Sequence, residues 1–242
     1  MKIMQLIQEK ARDNTARGAV TIAFFGDSVT QGCFEVFMKA DGEVETVFDR
    51  EYAYHAYFNR LIGLLYPNVA LNIINAGISG DTTQGGFERI ERDVLRFCPD
   101  LVVVCFGLND VNKGLEELPA YRDILRKILG RLNEAGCEVI FMTPNMMNTD
   151  VSVHITDPVI RNIAKGTAIA QNEGDMDAYM DTARAVCREY GVPVCDCYAK
   201  WKLLYQNGVS ITELLANKIN HPTRELNWLF AASLLETMMT EK

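Results

Sequence analysis

Two short polar stretches, far apart in the chain, hold the residue types needed for nucleophilic acyl transfer. Ser28 ends the stretch FFGDS (24–28), and His221 lies in NHPT (220–223). A serine hydroxyl becomes an effective nucleophile only when a neighbouring base takes its proton, and histidine commonly does this. The pair therefore predicts a serine nucleophile, Ser28, with His221 as its base.

Two further stretches could supply the donors that such chemistry requires. Gly80, in NAGISGDTT (75–83), offers a backbone N–H with no side chain in the way, and Asn109, in GLND (107–110), offers a side-chain amide. Together with the backbone N–H of Ser28, these make three uncharged donors. Acyl transfer uses such a set to hold the oxyanion of its tetrahedral intermediate.

Each of these residues also has a purely structural interpretation. Ser28 could cap a helix, Asn109 could do the same, Gly80 could serve only a turn, and His221 could be an ordinary surface residue. Gly26 is predicted to permit an unusual backbone angle at the turn before Ser28. The four stretches occurring together favour the catalytic interpretation.

Five short apolar runs are predicted to be the strands that position these residues. They are continuous rather than alternating, which is typical of strands covered on both faces. The runs are AVTIAFF (19–25), VALNII (69–74), LVVVCF (101–106), CEVIFM (137–142) and VPVCD (192–196). Because parallel strands share one carboxyl edge, the stretches containing Ser28, Gly80 and Asn109 should meet there.

Helical patterns fall between the strands and at both ends of the chain. They are predicted at the N-terminus and over residues 52–66, 85–97, 118–136, 176–191 and 222–239. Alternating strands and helices indicate right-handed βαβ units and a parallel sheet with helices on both faces. We therefore expect residues 1–242 to form a single α/β domain.

Two insertions interrupt this alternation. Residues 35–48 alternate and turn at Asp41-Gly42, which predicts a surface hairpin. Residues 143–175 are interpreted as a long loop of the kind that often forms a lid or binding surface. Both insertions could form walls of a substrate pocket.

In order and spacing, the four polar stretches resemble those of the SGNH hydrolases, the GDSL esterase/lipase family. GDS with Ser28, SGDTT with Gly80, GLND with Asn109 and HPT with His221 match that family's four blocks. The resemblance implies a flavodoxin-like three-layer α/β/α fold with a five-stranded parallel sheet. It implies Ser28 as nucleophile, His221 as base, oxyanion donors from Ser28, Gly80 and Asn109, and hydrolysis of esters or some thioesters without a metal.

One block departs from the family pattern. Family members usually carry an aspartate three residues before the histidine, and here that position is Lys218. An ammonium group cannot accept a hydrogen bond from the imidazole Nδ1–H. We therefore predict a Ser–His dyad whose Nδ1 acceptor is a backbone carbonyl or the Asn217 side-chain oxygen, near residues 217–218.

Composition excludes several other classes of protein. The net charge is −8, and no cluster of Lys and Arg indicates nucleic-acid binding. No stretch approaches the length of a membrane span, and the charged N-terminal segment does not resemble a signal peptide. Seven cysteines, an odd number, favour free thiols in a reducing cytoplasm. The one-residue spacing of Cys195 and Cys197 does not match a zinc site.

The sequence thus predicts a cytoplasmic serine ester hydrolase that needs no cofactor or metal. We expect a small-molecule ester as substrate, with a small, acetyl-like acyl group on a sugar or other alcohol, and no nucleic-acid or membrane partner. Assembly into a homo-oligomer is left open. Two alternatives also stay open: a non-catalytic carbohydrate-binding or scaffold protein on a decayed hydrolase fold, and an acyltransferase.

Overall fold

A five-stranded parallel sheet forms the centre of the protein. The computed structural model describes residues 1–241. In chain order the strands are β1 (Val20–Gly26), β2 (Cys33–Met38), β3 (Val44–Phe48), β4 (Leu71–Gly77), β5 (Leu101–Cys105), β6 (Glu138–Met142) and β7 (Val194–Cys195). The sheet has the order β4-β1-β5-β6-β7, and every pairing in it is parallel. Counting only its own strands, this is the 2-1-3-4-5 order of flavodoxin-like folds, as expected from the resemblance.

The central strands are apolar throughout because both of their faces are covered. Every residue of β5 is buried, and so is every residue of β1 except Thr21. The edge strand β4 is mostly half-buried. All five predicted strand runs are confirmed, with bounds shifted by at most three residues.

Nine helices accompany the strands in residues 1–241. They are α1 (Lys2–Arg12), α2 (Ser28–Gln31), α3 (Tyr54–Leu65), α4 (Thr83–Asp93), α5 (Leu118–Glu134), α6 (Pro158–Asn172), α7 (Asp175–Tyr190), α8 (Cys197–Gln206) and α9 (Asn227–Thr240). Helices α1 and α3 pack with α9, whereas α4 and α7 pack with α5. These two groups form the outer layers of the α/β/α arrangement.

Two predicted elements differ from the structure. The segment 143–175 is not a loop throughout, because residues 158–172 form α6. Asp157 starts this helix by accepting hydrogen bonds from the N–H groups of Val159 and Ile160, and Pro158 occupies its first turn. The last helix begins at Asn227 rather than at Pro222, because Pro222 pairs instead with Leu215 in an isolated antiparallel bridge.

The predicted hairpin is confirmed as β2 and β3, which pair antiparallel outside the main sheet. A β-bulge lies between Cys33 and Val36, at the end of the hairpin that joins α2. Bulges bend a strand and redirect its backbone groups. Phe34 lies within this bulge, so its backbone carbonyl is turned out of the regular ladder.

None of the helices in residues 1–241 combines the length and apolar character needed to cross a membrane.

Candidate active site

The predicted residues gather where the sheet changes direction. From β1 the chain moves outward to β4, and it then crosses back to β5 on the other side of β1. The carboxyl ends of β1 and β5 therefore form the switch point at which ligands bind in open α/β sheets. Ser28 begins α2 directly after β1, and Asn109 follows β5.

Ser28 and His221 are in hydrogen-bond contact. Ser28 Oγ lies 2.9 Å from His221 Nε2, and both side chains are buried. Asp27, rather than Ser28, is the cap of α2, since its Oδ1 accepts from the N–H of Val29 at 3.0 Å. The Ser28 hydroxyl is thus directed at a base and is not used as a helix cap.

Gly26 is required for close packing and not, as we expected, for an unusual backbone angle. It is absent from the glycines with positive φ in this structure. A Cβ atom at this position would lie 2.1 Å from Thr30 Oγ1 and 2.5 Å from the carbonyl oxygen of Cys105. The glycine therefore allows the turn carrying Ser28 to pack against β5.

Gly80 and Asn109 lie on adjacent loops that are joined by a hydrogen bond. The Asn109 Nδ2 group donates to the carbonyl of Asp81 at 2.8 Å. An amide nitrogen carries two hydrogens, so one remains for a substrate oxygen. Gly80 has φ +78°, a left-handed conformation that favours glycine. Its N–H has no acceptor among the described residues. This loop therefore presents donors at the end of β4.

A buried arginine, Arg89, holds this loop against the sheet. Its Nε donates to Asp81 Oδ2 at 2.6 Å, its Nη1 to the carbonyl of Ala76 at 2.7 Å, and its Nη2 to that of Gly26 at 2.8 Å. Arg89 thereby joins the ends of β1 and β4 to the loop that carries Gly80. Sequence reasoning did not identify it, although a charged residue on the buried face of α4 was a usable signal.

A second link joins α4 to the loop that contains Asn109. Asp110 Oδ1 accepts from both the N–H and the hydroxyl of Thr83, at 3.0 and 2.6 Å. Burial raises the pKa of Asp110, whereas these two hydrogen bonds lower it. Burial also raises the pKa of Asp27 to about 7. Both carboxyl groups brace loops, and neither contacts the Ser28 hydroxyl.

The acceptor for His221 Nδ1 lies on the hairpin, and the prediction that it lies near residues 217–218 is wrong. Nδ1 is 2.9 Å from the carbonyl oxygen of Phe34. A carbonyl can only accept, so Nδ1 carries the hydrogen and Nε2 is free to accept from Ser28. A backbone carbonyl was one of the two expected kinds of acceptor. Every residue has a backbone carbonyl, so nothing in the sequence could single out that of Phe34.

Asn217 organises the loop that carries His221, residues 216–221 (the histidine loop), without a hydrogen bond to the imidazole. Its Oδ1 accepts from the backbone N–H groups of Ile219, Asn220 and His221, at 3.0, 2.9 and 3.0 Å. Lys218 has φ +59°, and its ammonium group donates to Glu213 Oε2 at 2.8 Å. The position that usually holds an aspartate in the family is therefore turned toward Glu213.

Burial sets the acid–base behaviour of His221. Removal from water lowers the pKa of this imidazole, while the Phe34 carbonyl and the negative charge of Glu35 oppose that shift. A lowered pKa keeps the imidazole neutral at neutral pH, which is the form that accepts a proton. The arrangement can therefore take a proton from the Ser28 hydroxyl.

Cys195 and Cys197, at the spacing noted in the sequence, lie together in the core. The Sγ atoms of Cys195 and Cys197 lie 3.8 Å apart and are both buried. Within residues 1–241, no group of three His, Cys, Asp or Glu side chains is arranged to hold a metal ion.

Comparison with curated proteins gives two partial matches. The chain is 29% identical over 132 residues to an acetylxylan esterase from Geobacillus stearothermophilus, an alignment covering 51% of this chain and 58% of that protein. It is 34% identical over 81 residues to an arylesterase from Vibrio mimicus, covering 33% of this chain and 39% of that protein. The matched regions thus span less than two thirds of either relative.

Solved structures match over almost the whole chain. A mutant of Axe2, an acetyl-xylooligosaccharide esterase from Geobacillus stearothermophilus, superposes with a TM-score of 0.67 at 24% identity, covering 93% of this chain and 96% of that one. A two-domain esterase active on acetylated mannans gives 0.67 at 19% identity, covering 99% of this chain and 54% of that one. At these identities the likeness establishes the shared fold.

The family model for the GDSL-like lipases and acylhydrolases matches residues 24–229, a range that contains Ser28, Gly80, Asn109 and His221. The chain therefore belongs to the GDSL-like lipase/acylhydrolase family.

Proposed function

We propose that this protein is a serine ester hydrolase with Ser28 as nucleophile and His221 as base. The observation that carries the proposal is the 2.9 Å contact between Ser28 Oγ and His221 Nε2. We assign the oxyanion to the N–H groups of Ser28, Gly80 and Asn109. The esterase names of its relatives support the same reaction class.

The reaction follows from this arrangement in two matched halves. His221 Nε2 takes the hydroxyl proton as Ser28 Oγ bonds to the ester carbonyl carbon, and the oxyanion forms opposite the N–H groups of Ser28, Gly80 and Asn109. The tetrahedral intermediate collapses, the carbon–oxygen bond to the alcohol breaks, and His221 returns the proton to the departing alkoxide. Water then repeats both steps on the acyl-enzyme, releasing the carboxylic acid and free Ser28.

The preferred substrate is a small acyl ester, such as an acetyl ester, of a sugar or a similar alcohol. A cavity of about 370 Å³ lies next to the histidine loop, walled by the hairpin at 35–38, the segment 154–157 and the segment 216–218. Both insertions contribute to it, and neither Ser28 nor His221 lines it, so we assign it to the alcohol part of the substrate rather than to the acyl group. Phe37 is an exposed aromatic in this wall, and His154 offers an exposed imidazole. An aromatic face beside polar groups suits a sugar ring.

The missing aspartate had favoured a non-catalytic protein on a decayed fold. The Phe34 carbonyl weakens that alternative, because it occupies the position on Nδ1 that the aspartate would fill. A backbone acceptor selects the same imidazole tautomer as a carboxylate does. We therefore prefer the enzyme.

Turnover of a chromogenic aryl acetate distinguishes an ester hydrolase from a non-catalytic binding protein. We expect turnover by the wild type and a fall of about 10³-fold or more in kcat for Ser28→Ala, because the nucleophile is removed. Ser210→Ala, at an exposed serine, is the matched control and should retain wild-type turnover. Equal rates for the wild type and Ser28→Ala would leave the binding protein as the better interpretation. Products formed with added alcohols would reveal acyl transfer.

We also propose that the protein works in a reducing compartment such as the cytoplasm. All seven cysteines are free thiols, and five of them are buried. Buried thiols that are kept reduced suit such a compartment.

A further inference from the structure

The β2–β3 hairpin occupies the place of the missing member of the triad, and side chains beyond Phe34 suit that role. We propose that Arg224 is a positioning residue that holds the Phe34 carbonyl on His221, and that Glu35 supplies the negative charge that favours imidazolium during the reaction. This inference rests on the proposed ester hydrolysis, and it assigns parts to residues outside the family's four blocks.

Arg224 joins the histidine segment to both sides of the hairpin. Its Nη1 and Nη2 donate to the two carboxylate oxygens of Glu35 at 2.6 and 3.1 Å, and its Nε donates to Asp49 Oδ2 at 3.0 Å. Glu35 lies in β2, and Asp49 directly follows β3. A two-point contact from a planar guanidinium fixes orientation as well as distance.

Arg224 also contacts the residue that supplies the carbonyl. The guanidinium carbon lies 4.3 Å from the centre of the Phe34 ring, within the range of a cation–π contact. Arg224 is only three residues from His221. One side chain therefore ties the acceptor, Phe34, to the segment that carries the imidazole, and it does so across a bulge that would otherwise leave the hairpin less constrained.

Glu35 provides what a neutral carbonyl lacks. When His221 takes the Ser28 proton it becomes a cation, and a carbonyl dipole stabilises that cation less than a carboxylate would. The negative charge of Glu35 raises the pKa of His221, although Glu35 does not touch the ring. Its ion pair with Arg224 lowers the pKa of Glu35 itself, so this carboxylate stays ionised.

No other described side chain competes for this role. The groups that hydrogen-bond to the imidazole or shift its pKa are Ser28 from α2 and the Phe34 carbonyl and Glu35 from β2. Lys218 is turned toward Glu213, and Asn217 contacts only polar groups of its own loop.

The test uses the two partners of the ion pair because they should move the pH profile in opposite directions. Glu35→Gln removes the negative charge, so the acidic limb of kcat/KM should move to lower pH and kcat should fall about tenfold. Arg224→Ala leaves the negative charge of Glu35 unneutralised, so the limb should move to higher pH while kcat falls because the hairpin is released. A merely structural role would not give shifts of opposite sign.

Glu45→Gln is the matched control, since Glu45 is an exposed carboxylate on β3 of the same hairpin. It should change neither kcat nor the limb, and Arg224→Lys should restore part of the kcat lost in Arg224→Ala. The inference would be overturned if the acidic limb of kcat/KM stayed in place in both Glu35→Gln and Arg224→Ala, or moved in the same direction in both.

An NMR titration of His221 separates this inference from the proposed function. The chain has three histidines, so the imidazole signals can be assigned with single-histidine variants. If the wild type hydrolyses no ester, the proposed function fails, but Glu35→Gln should still lower the His221 pKa and Arg224→Ala should still raise it. If the esterase is active and these pKa values do not move, only the present inference fails.

Discussion

The two sides of the candidate site are built in different ways. On the oxyanion side, loops at the ends of the strands are held by the buried pair Arg89–Asp81, whose side chains are 7% and 13% exposed. On the histidine side, a hairpin outside the sheet is held by Arg224–Glu35, with 27% and 31% exposed. The oxyanion side is anchored in the core by its ion pair. The histidine side depends on an ion pair that is partly exposed to water and to dissolved salt. Substitutions should therefore destabilise the fold on one side and tune the reaction on the other.

The largest expected effect follows from breaking the buried side at Arg89. Arg89→Met removes the guanidinium, so the Asp81 carboxylate loses its cation and the carbonyls of Gly26 and Ala76 each lose a buried donor. We expect the free energy of unfolding to fall by about 3–5 kcal/mol, measured by urea denaturation.

Arg92→Met is the control for that experiment, because Arg92 pairs with Asp93 on the same helix but is 66% exposed. Its free energy of unfolding should stay within about 0.5 kcal/mol of the wild type. Equal, small losses for both variants would show that the buried pair does not anchor the oxyanion side.

The next effect concerns turnover rather than folding. Asn109→Ala removes one of the proposed oxyanion donors, so kcat toward an aryl acetate should fall about 10²–10³-fold with little change in KM. Asn112→Ala serves as the control, since the Asn112 amide donates only to the carbonyl of Leu108, at 3.3 Å. A kcat for Asn109→Ala close to that of Asn112→Ala would remove Asn109 from the proposed donor set.

A pH experiment probes the core behind the oxyanion side. His55 packs against Phe24 of β1, and burial lowers its pKa to about 4 from an ordinary value of about 6.5. The folded protein therefore binds fewer protons than the unfolded chain between these values, and stability falls as the pH falls. Relative to His55→Phe, the wild type should lose up to about 1.4 kcal/mol per pH unit between pH 6.5 and 4.

The quantity to measure is the difference in the free energy of unfolding between the wild type and His55→Phe. The difference is needed because Asp27 changes stability with pH in the opposite direction to His55. Its carboxyl has a raised pKa of about 7, so its contribution to stability is lost as the pH rises toward that value. Asp27 is present in both proteins, and its contribution cancels. Parallel stability curves for the wild type and His55→Phe would mean that His55 is not held neutral by burial.

The smallest expected effect comes from restoring the family's usual aspartate in the loop that carries His221. Lys218→Asp places a carboxylate at the family's usual position, but the side chain there points toward Glu213. We expect kcat/KM to change by less than about threefold, since the Phe34 carbonyl already occupies Nδ1. Lys218→Asn, which loses the same ion pair without adding a carboxylate, is the comparison. A clear gain in kcat/KM for the aspartate alone would show that the carboxylate can replace the carbonyl.

The two sides of the candidate site also differ in how far the sequence predicts them. The five strands were identified because strands covered on both faces read as unbroken apolar runs, and the switch-point rule then brought Ser28 and Asn109 to one edge. Arg89 was missed because an arginine inside an amphipathic helix is usually assigned to its exposed face. The helix over 158–172 was missed because its N-terminal signal, Asp157-Pro158, lay inside a segment interpreted as a loop.

The histidine's partner illustrates a harder limit. The expected acceptors were side chains and carbonyls close to His221 in sequence, whereas Phe34 is 187 residues away. A carbonyl has no residue type by which a sequence can reveal it. Only the path of the hairpin identifies which of the many carbonyls reaches the imidazole.

Because the acceptor on His221 belongs to the peptide backbone, it has an evolutionary property that an aspartate lacks. An aspartate can be lost by one codon change, but every residue encoded at position 34 still brings a carbonyl oxygen. Insertions, deletions or register slips in the hairpin are the changes that would remove it. Lineages of this kind should therefore conserve the length of the hairpin, and position 34 should keep an aromatic ring only for its packing and its contact with Arg224.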